Sequence, residues 1–141
     1  KLAMFDKYQF HYTNPRRWEI PDALNQVSHI RKSFLKQITN KETYVPLYSI
    51  DQPKTFIGFS YFKKGKSTKN NTLLILANAN PYHEVYARPD IEVLRNKTGN
   101  QELEGKLLFS THEDPRLFTQ FLDYNTLDIH LGPGEVKIVQ L

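Results

Sequence analysis

Leu131-Gly-Pro-Gly-Glu-Val-Lys-Ile-Val-Gln-Leu141, the end of the chain, decides the fold. Gly132, Pro133 and Gly134 supply turn geometry. The run behind them alternates at period two, with Val136 and Ile138 on one side and Val139 and Leu141 on the other. A chain that ends on a buried strand ends inside a sheet. Upstream, Leu73-Leu-Ile-Leu-Ala-Asn-Ala-Asn80 is a second apolar run, and one amphipathic helix lies farther back. Together these read as a β-sandwich attached to a further body that the chain does not include.

From Tyr44 onward the sequence is a series of short β-rich runs. The predicted strands are Val45 to Ile50, Phe56 to Phe62, Leu73 to Ala79, Tyr82 to Ala87, Leu107 to Ser110, Thr126 to His130 and Glu135 to Val139. Asp51-Gln-Pro53, Asn80-Pro81, Arg88-Pro-Asp90 and Asn96 to Gly99 are the breaks between them. Leu117 to Leu122 adds a helical turn or an edge strand. The expected class is mainly β, an antiparallel sandwich with a core built on Phe59, Leu74, Leu76, Ile129 and Ile138.

Two segments precede the strands. Residues 1 to 19 are irregular and aromatic, with Phe5, Tyr8, Phe10, Tyr12 and Trp18 among charged neighbours, and Asn14-Pro15 stops any strand there. A packed loop that plugs the bottom of a core is the expectation. A helix then opens at Ile20-Pro21-Asp22, where Pro21 suits the first turn and Asp22 meets the positive end of the dipole. Leu24, Val27, Ile30 or Arg31, Phe34 or Leu35, and Ile38 recur at helical spacing. Asn40 is expected to end the helix in a left-handed conformation, with Lys36 and Lys41 near the negative end of its dipole.

Composition narrows the functional classes. A chain of 141 residues is long enough to bury a core without staples, and it has no cysteine for disulfides, thiolate metal sites or nucleophilic catalysis. The absence of cysteine suits a reducing compartment, and a cytoplasmic setting is the expectation. No stretch reaches the roughly 20 apolar residues of a membrane span, and the first residues have no apolar leader core. The net charge is +4, spread along the chain. The one dense basic run, Lys63-Lys-Gly-Lys-Ser-Thr-Lys69, reads as a solvated hairpin tip and not as a nucleic-acid face.

Catalytic constellations are missing. His83-Glu84 and His112-Glu-Asp114 resemble parts of metal sites, but no spacing gathers three ligands, so neither a metal nor another cofactor is expected. Thr111 to Pro115 reads as a loop whose short polar side chains satisfy their own backbone. No Gly-x-Ser-x-Gly elbow or phosphate loop occurs. Asp90 with Glu92, and Glu102 with Glu104, lie in polar surroundings with no reason to be buried. Asn70-Asn-Thr72 and Asn96-Lys-Thr98 fit the glycosylation sequon and read as turns.

The order of motifs carries a resemblance. Phe5-Asp-Lys7 with the aromatics behind it, Val27-Ser-His-Ile-Arg-Lys32 on the helix, Phe56-Ile-Gly-Phe-Ser-Tyr61, the apolar run ending at Asn80-Pro81, and Leu131-Gly-Pro-Gly134 before the last strand follow one another along the chain. This series is similar to the end of the barrel and the Greek-key domain C of α-amylase family glycoside hydrolases. The basic Arg16-Arg17 and the polar insert from Arg95 to Lys106 depart from that pattern. The resemblance implies that residues 1–41 are the last loop and helix of a catalytic barrel and that residues 42–141 are the C-terminal sandwich. It also implies that no catalytic residue lies in this chain, because the family's carboxylates sit on earlier barrel strands.

The implied role is non-catalytic: to buttress the barrel of the same polypeptide and to hold α-glucan weakly. Trp18, in a loop between Arg17 and Glu19, and Tyr82, after the Asn80-Pro81 break, are the candidate sugar platforms. Their structural alternatives are a plug at the helix base for Trp18 and the start of a buried strand for Tyr82. An independent sandwich module that mediates protein interaction through the helix and the aromatic N-terminus is the other expectation; a homodimer through an exposed helix face with Val27, Phe34 and Ile38 is compatible with both.

Overall fold

A computed structural model describes residues 19–63, 72–99, 105–112 and 126–141. The aromatic N-terminal segment with Trp18, most of the basic run, Glu102, Glu104 and Leu117 to Leu122 lie outside the described residues. Two compact units divide the chain, Lys1–Ser33 and Phe34–Leu141.

In the first unit, α1 spans Glu19–Ser33. Ala23, Val27 and Ile30 are half-buried, while Leu24 is 65% exposed. The helix was expected to run on to Asn40, but it stops at Ser33. The Ser33 hydroxyl donates to the His29 carbonyl at 3.0 Å, a bond from side chain to backbone that tends to bend a helix. Phe34 then leaves helical geometry at φ −108°, ψ 16°, and its side chain is buried.

The second unit opens with a single turn, α2 (Leu35–Ile38). Asn40 is extended, at φ −103° and ψ 114°, and not left-handed as the sequence suggests. Its side chain accepts from the Glu42 amide at 3.0 Å and caps a 3-10 turn, Lys41–Thr43, that feeds the first strand.

The strands are β1 (Tyr44–Leu47), β2 (Phe56–Tyr61), β3 (Leu73–Asn78), β4 (Val85–Ala87), β5 (Lys106–Ser110), β6 (Ile129–Leu131) and β7 (Val136–Gln140). They form an antiparallel five-stranded sheet in the order β1-β2-β3-β7-β5 and an antiparallel pair, β4-β6. The C-terminal strand therefore lies inside the larger sheet, as its two apolar sides require. Reciprocal bonds between Thr72 and Leu141, at 3.0 and 2.8 Å, extend the ladder to the last residue.

Period-two alternation gives the large sheet two apolar faces. Val45, Leu47, Leu74, Leu76, Val139 and Leu141 share a core with Val85, Ile129 and Leu131 of the small sheet, and with Ile91, Leu94 and Leu127. Fully burying a side chain of this size stabilises by roughly 1.5–3 kcal/mol. Phe59 and Ile138 were expected in the core, and Ile138 is indeed buried whereas Phe59 is half-buried. Register places them on the opposite face, because Phe59 pairs with Ile75 and Ile75 with Ile138. There Tyr44, Phe59 and Tyr61 form an aromatic cluster with centroids 5.7–6.0 Å apart.

Three further expectations change. Asn96 to Gly99 is not a break: Glu92–Thr98 forms α3, a short helix ended by left-handed Gly99 (φ 66°). Ile91 at its N-cap and Leu94, one helical turn apart, face the core, and Arg95 and Thr98 are buried as well, a signal too short to stand out from the polar insert. The Asn96-Lys-Thr98 sequon is therefore helical. The strand expected over Thr126 to His130 starts at Ile129, preceded by one isolated bridge from Thr126 to Asp90. The strand expected over Val45 to Ile50 ends at Leu47, and Ser49 makes one isolated bridge to Pro89.

Candidate functional site

The turn after β3 is built by two asparagines. Buried Asn78 donates from Nδ2 to the carbonyls of His83 (2.7 Å) and Gly132 (2.9 Å), and its Oδ1 accepts from the Asn80 amide at 3.0 Å. Asn80 Oδ1 in turn accepts from the amides of Tyr82 (2.9 Å) and His83 (3.1 Å). These side-chain bonds hold the backbone in a bend, so the strand expected from Tyr82 begins only at Val85. Tyr82 is consequently 82% exposed rather than the start of a buried strand.

The Pro133-Gly134 turn braces this bend, because the Gly134 amide donates to the Asn80 carbonyl at 2.7 Å. Gly134 has a φ of 63°, which accounts for glycine there. Behind it, buried Glu135 accepts from the Gly132 amide at 2.7 Å and from the Ser110 hydroxyl at 3.0 Å. Lys137, only 1% exposed, reaches Glu135 at 3.4 Å and donates to the His130 carbonyl at 2.9 Å. A buried lysine in β7 therefore locks the closing turn to β6.

β4 and β6 present a second set of groups. Tyr86 lies opposite His130 in register, with ring centroids 4.7 Å apart. His130 Nε2 is 2.8 Å from Glu84 Oε2, and the Tyr86 hydroxyl donates to Glu84 Oε1 at 3.4 Å. Tyr86 remains 61% exposed. The buried residues Val85, Ala87 and Pro89 alternate with exposed Glu84, Tyr86 and Arg88, which places the outward residues on one face.

The segment after β1 extends this face. Ser49 bridges to Pro89, the Ile50 amide donates to the Arg88 carbonyl at 2.9 Å, and the Asp90 amide donates to the Tyr48 carbonyl at 3.1 Å. Tyr48 and Ile50 therefore point outward, and Tyr48 is 75% exposed. The Arg88 guanidinium grips Asp51 through two nitrogens, one of them Nε to Oδ2 at 2.6 Å. That hydrogen bond holds the Asp51 carboxyl below its ordinary value and Arg88 above its own.

Of the two candidate platforms, Tyr82 is displayed on a braced turn, and Trp18 lies outside the described residues. Tyr48 and Tyr86 were not singled out in the sequence. The signal was present in the alternation of 84 to 90, where small buried residues separate long exposed ones. Among the described residues no group of three His, Asp or Glu side chains could hold a metal ion. His83 is exposed, and Asp90 is used as an acceptor for the Glu92 amide at the start of α3. No described helix is long and apolar enough to cross a membrane. Comparison with protein-family models, with curated proteins and with solved structures gives no match.

Proposed function

We propose that this chain is the C-terminal part of an α-amylase family glycoside hydrolase or glucanotransferase, with a non-catalytic Greek-key β-sandwich that buttresses the catalytic barrel. The observation that carries the reading is the large sheet's second apolar face. Ile57, Phe59, Tyr61, Ile75, Ala77, Val136 and Ile138 all point away from the core shared with the small sheet. A sheet apolar on both sides is built to be covered on both sides. In this reading the barrel lies over that face. The sandwich reading is supported by the core that the two sheets share, and the Greek-key reading by the chain path. The chain leaves the large sheet after β3 for β4, returns to it as β5, crosses again to β6 and comes back as β7 between β3 and β5.

The aromatic face around Tyr82 and Tyr86 supports the second half of the role, weak retention of α-glucan. Pyranose rings have apolar faces that stack on such side chains. Incubating the chain with amylose or maltooligosaccharides is expected to give no new reducing ends and no chain rearrangement. Turnover at enzymatic rates would overturn the assignment. The alternative, a dimerising interaction module, is favoured by Leu24, which stands exposed on α1. Dimerisation through α1 is compatible with both, because a barrel helix without its barrel also exposes an apolar face; the upstream reading frame separates them, since barrel strands and carboxylates encoded there would exclude the independent module.

A further inference from the structure

Beside the Tyr86 face lies a cleft of about 370 Å³ lined by Leu47, Tyr48, Ser49, Gln52, Pro53 and Phe56. That volume falls within the range of small-ligand sites. All six lining side chains are uncharged. Such a lining selects neither phosphate, carboxylate nor cation; it suits a neutral ligand with apolar faces and hydrogen-bonding edges. Tyr48 supplies an exposed ring, and Pro53 and Phe56 supply apolar surface. The Tyr48 hydroxyl and the Gln52 carboxamide have no hydrogen-bond partner among the described residues, so both are free to meet hydroxyl groups.

The cleft is held open by backbone geometry. The Gln52 amide donates to the Ser49 carbonyl at 3.0 Å, and Gln52 itself sits at φ 48°, the one described non-glycine residue with positive φ. The Ser49 hydroxyl accepts from the Arg88 amide at 2.8 Å, and the Asp51–Arg88 pair ties the tip of the turn to the end of β4. On the other side, Phe56 lies over Gly58: a Cβ added to that glycine would come 2.7 Å from the Phe56 ring. Glycine is what allows the ring to lie there.

We propose that this cleft is a binding site for a stretch of α-glucan, with Tyr48 stacked on a pyranose ring and the Gln52 carboxamide bonded to its hydroxyls. The glucan class rests on the proposed function, whereas the position rests on the lining of the cleft. Titrating the ¹⁵N-labelled chain with maltoheptaose up to its solubility limit tests both. The expected result is saturable shifts at the amides of Tyr48, Ser49, Gln52 and Phe56, with roughly millimolar affinity. Tyr48→Ala should weaken this binding about tenfold with the remaining spectrum unchanged, and Val93→Ala, exposed on α3, should leave it intact.

Shifts confined to the neighbourhood of Tyr82 would overturn this inference while leaving glucan retention standing. No shift anywhere would overturn both, and leave the buttress role to the amylose assay. Equal binding of cellohexaose would overturn the α-glucan class, and binding of a proline-rich peptide in place of maltoheptaose would show the cleft to be a peptide site.

Discussion

Lys137→Met is the sharpest test of how the closing turn is built. Methionine keeps the aliphatic stem inside the sheet and removes only the ammonium group, which is buried against Glu135 and the His130 carbonyl. Losing a hydrogen bond from a charged donor costs roughly 1.5–3 kcal/mol, and leaving one partner of a buried pair uncompensated costs roughly 3–5 kcal/mol. Here the amide of Gly132 and the hydroxyl of Ser110 still serve the Glu135 carboxylate, so the lower part of that range applies. The expected destabilisation is about 3 kcal/mol, read by urea unfolding followed by far-UV circular dichroism. Adding Glu135→Gln should cost less than the sum of the two single changes, by about 1–3 kcal/mol of coupling. A neutral or stabilising Lys137→Met, with the native amide spectrum retained, would refute the pairing and with it the account of how Tyr82 is braced.

Other substitutions probe the same frame. Gly58→Ala should displace the Phe56 ring and cost about 1–3 kcal/mol, measured as a lower urea midpoint. Asn78→Ala removes the donor shared by the His83 and Gly132 carbonyls, so it should cost about 2 kcal/mol and speed amide exchange at Tyr82 and His83. Because Arg88 lowers the Asp51 pKa, the stability from this pair is present above the ordinary carboxylate value and is lost as pH falls through the lowered folded value, below about pH 4. Carboxyl NMR titration should find the Asp51 midpoint moved up toward its ordinary value in Arg88→Ala. An unmoved midpoint would show that the guanidinium is not the cause. If the chain dimerises in light scattering, Leu24→Glu should abolish the dimer; its persistence would place the interface elsewhere.

The large sheet was legible because its strands carry continuous or alternating apolar runs. Phe56–Tyr61, Leu73–Asn78 and Val136–Gln140 lie within a residue or so of the expected bounds. Apolarity alone could not say which face each residue takes. Phe59 and the buried Ile138 lie on the opposite face of the sheet because register, not hydrophobicity, decides the side. Local side-chain bonds explain most of the remaining departures. Ser33 bonded to His29, and Asn80 capping Tyr82 and His83, stop elements that propensity would continue. The break after Asn80 suggested an exposed Tyr82, but the same run was read as a strand that would bury it, and the asparagine bonds decide for exposure. Tyr48 and its cleft were not, because they depend on the long-range bridge from Ser49 to Pro89.

The most direct test of the central claim compares two proteins acting on amylose: the complete polypeptide encoded by the reading frame, and the 141-residue chain alone. New reducing ends or rearranged glucan chains are expected from the complete polypeptide and none from the chain alone. Equal turnover by both, or no action by the complete polypeptide on any α-glucan, would contradict that claim.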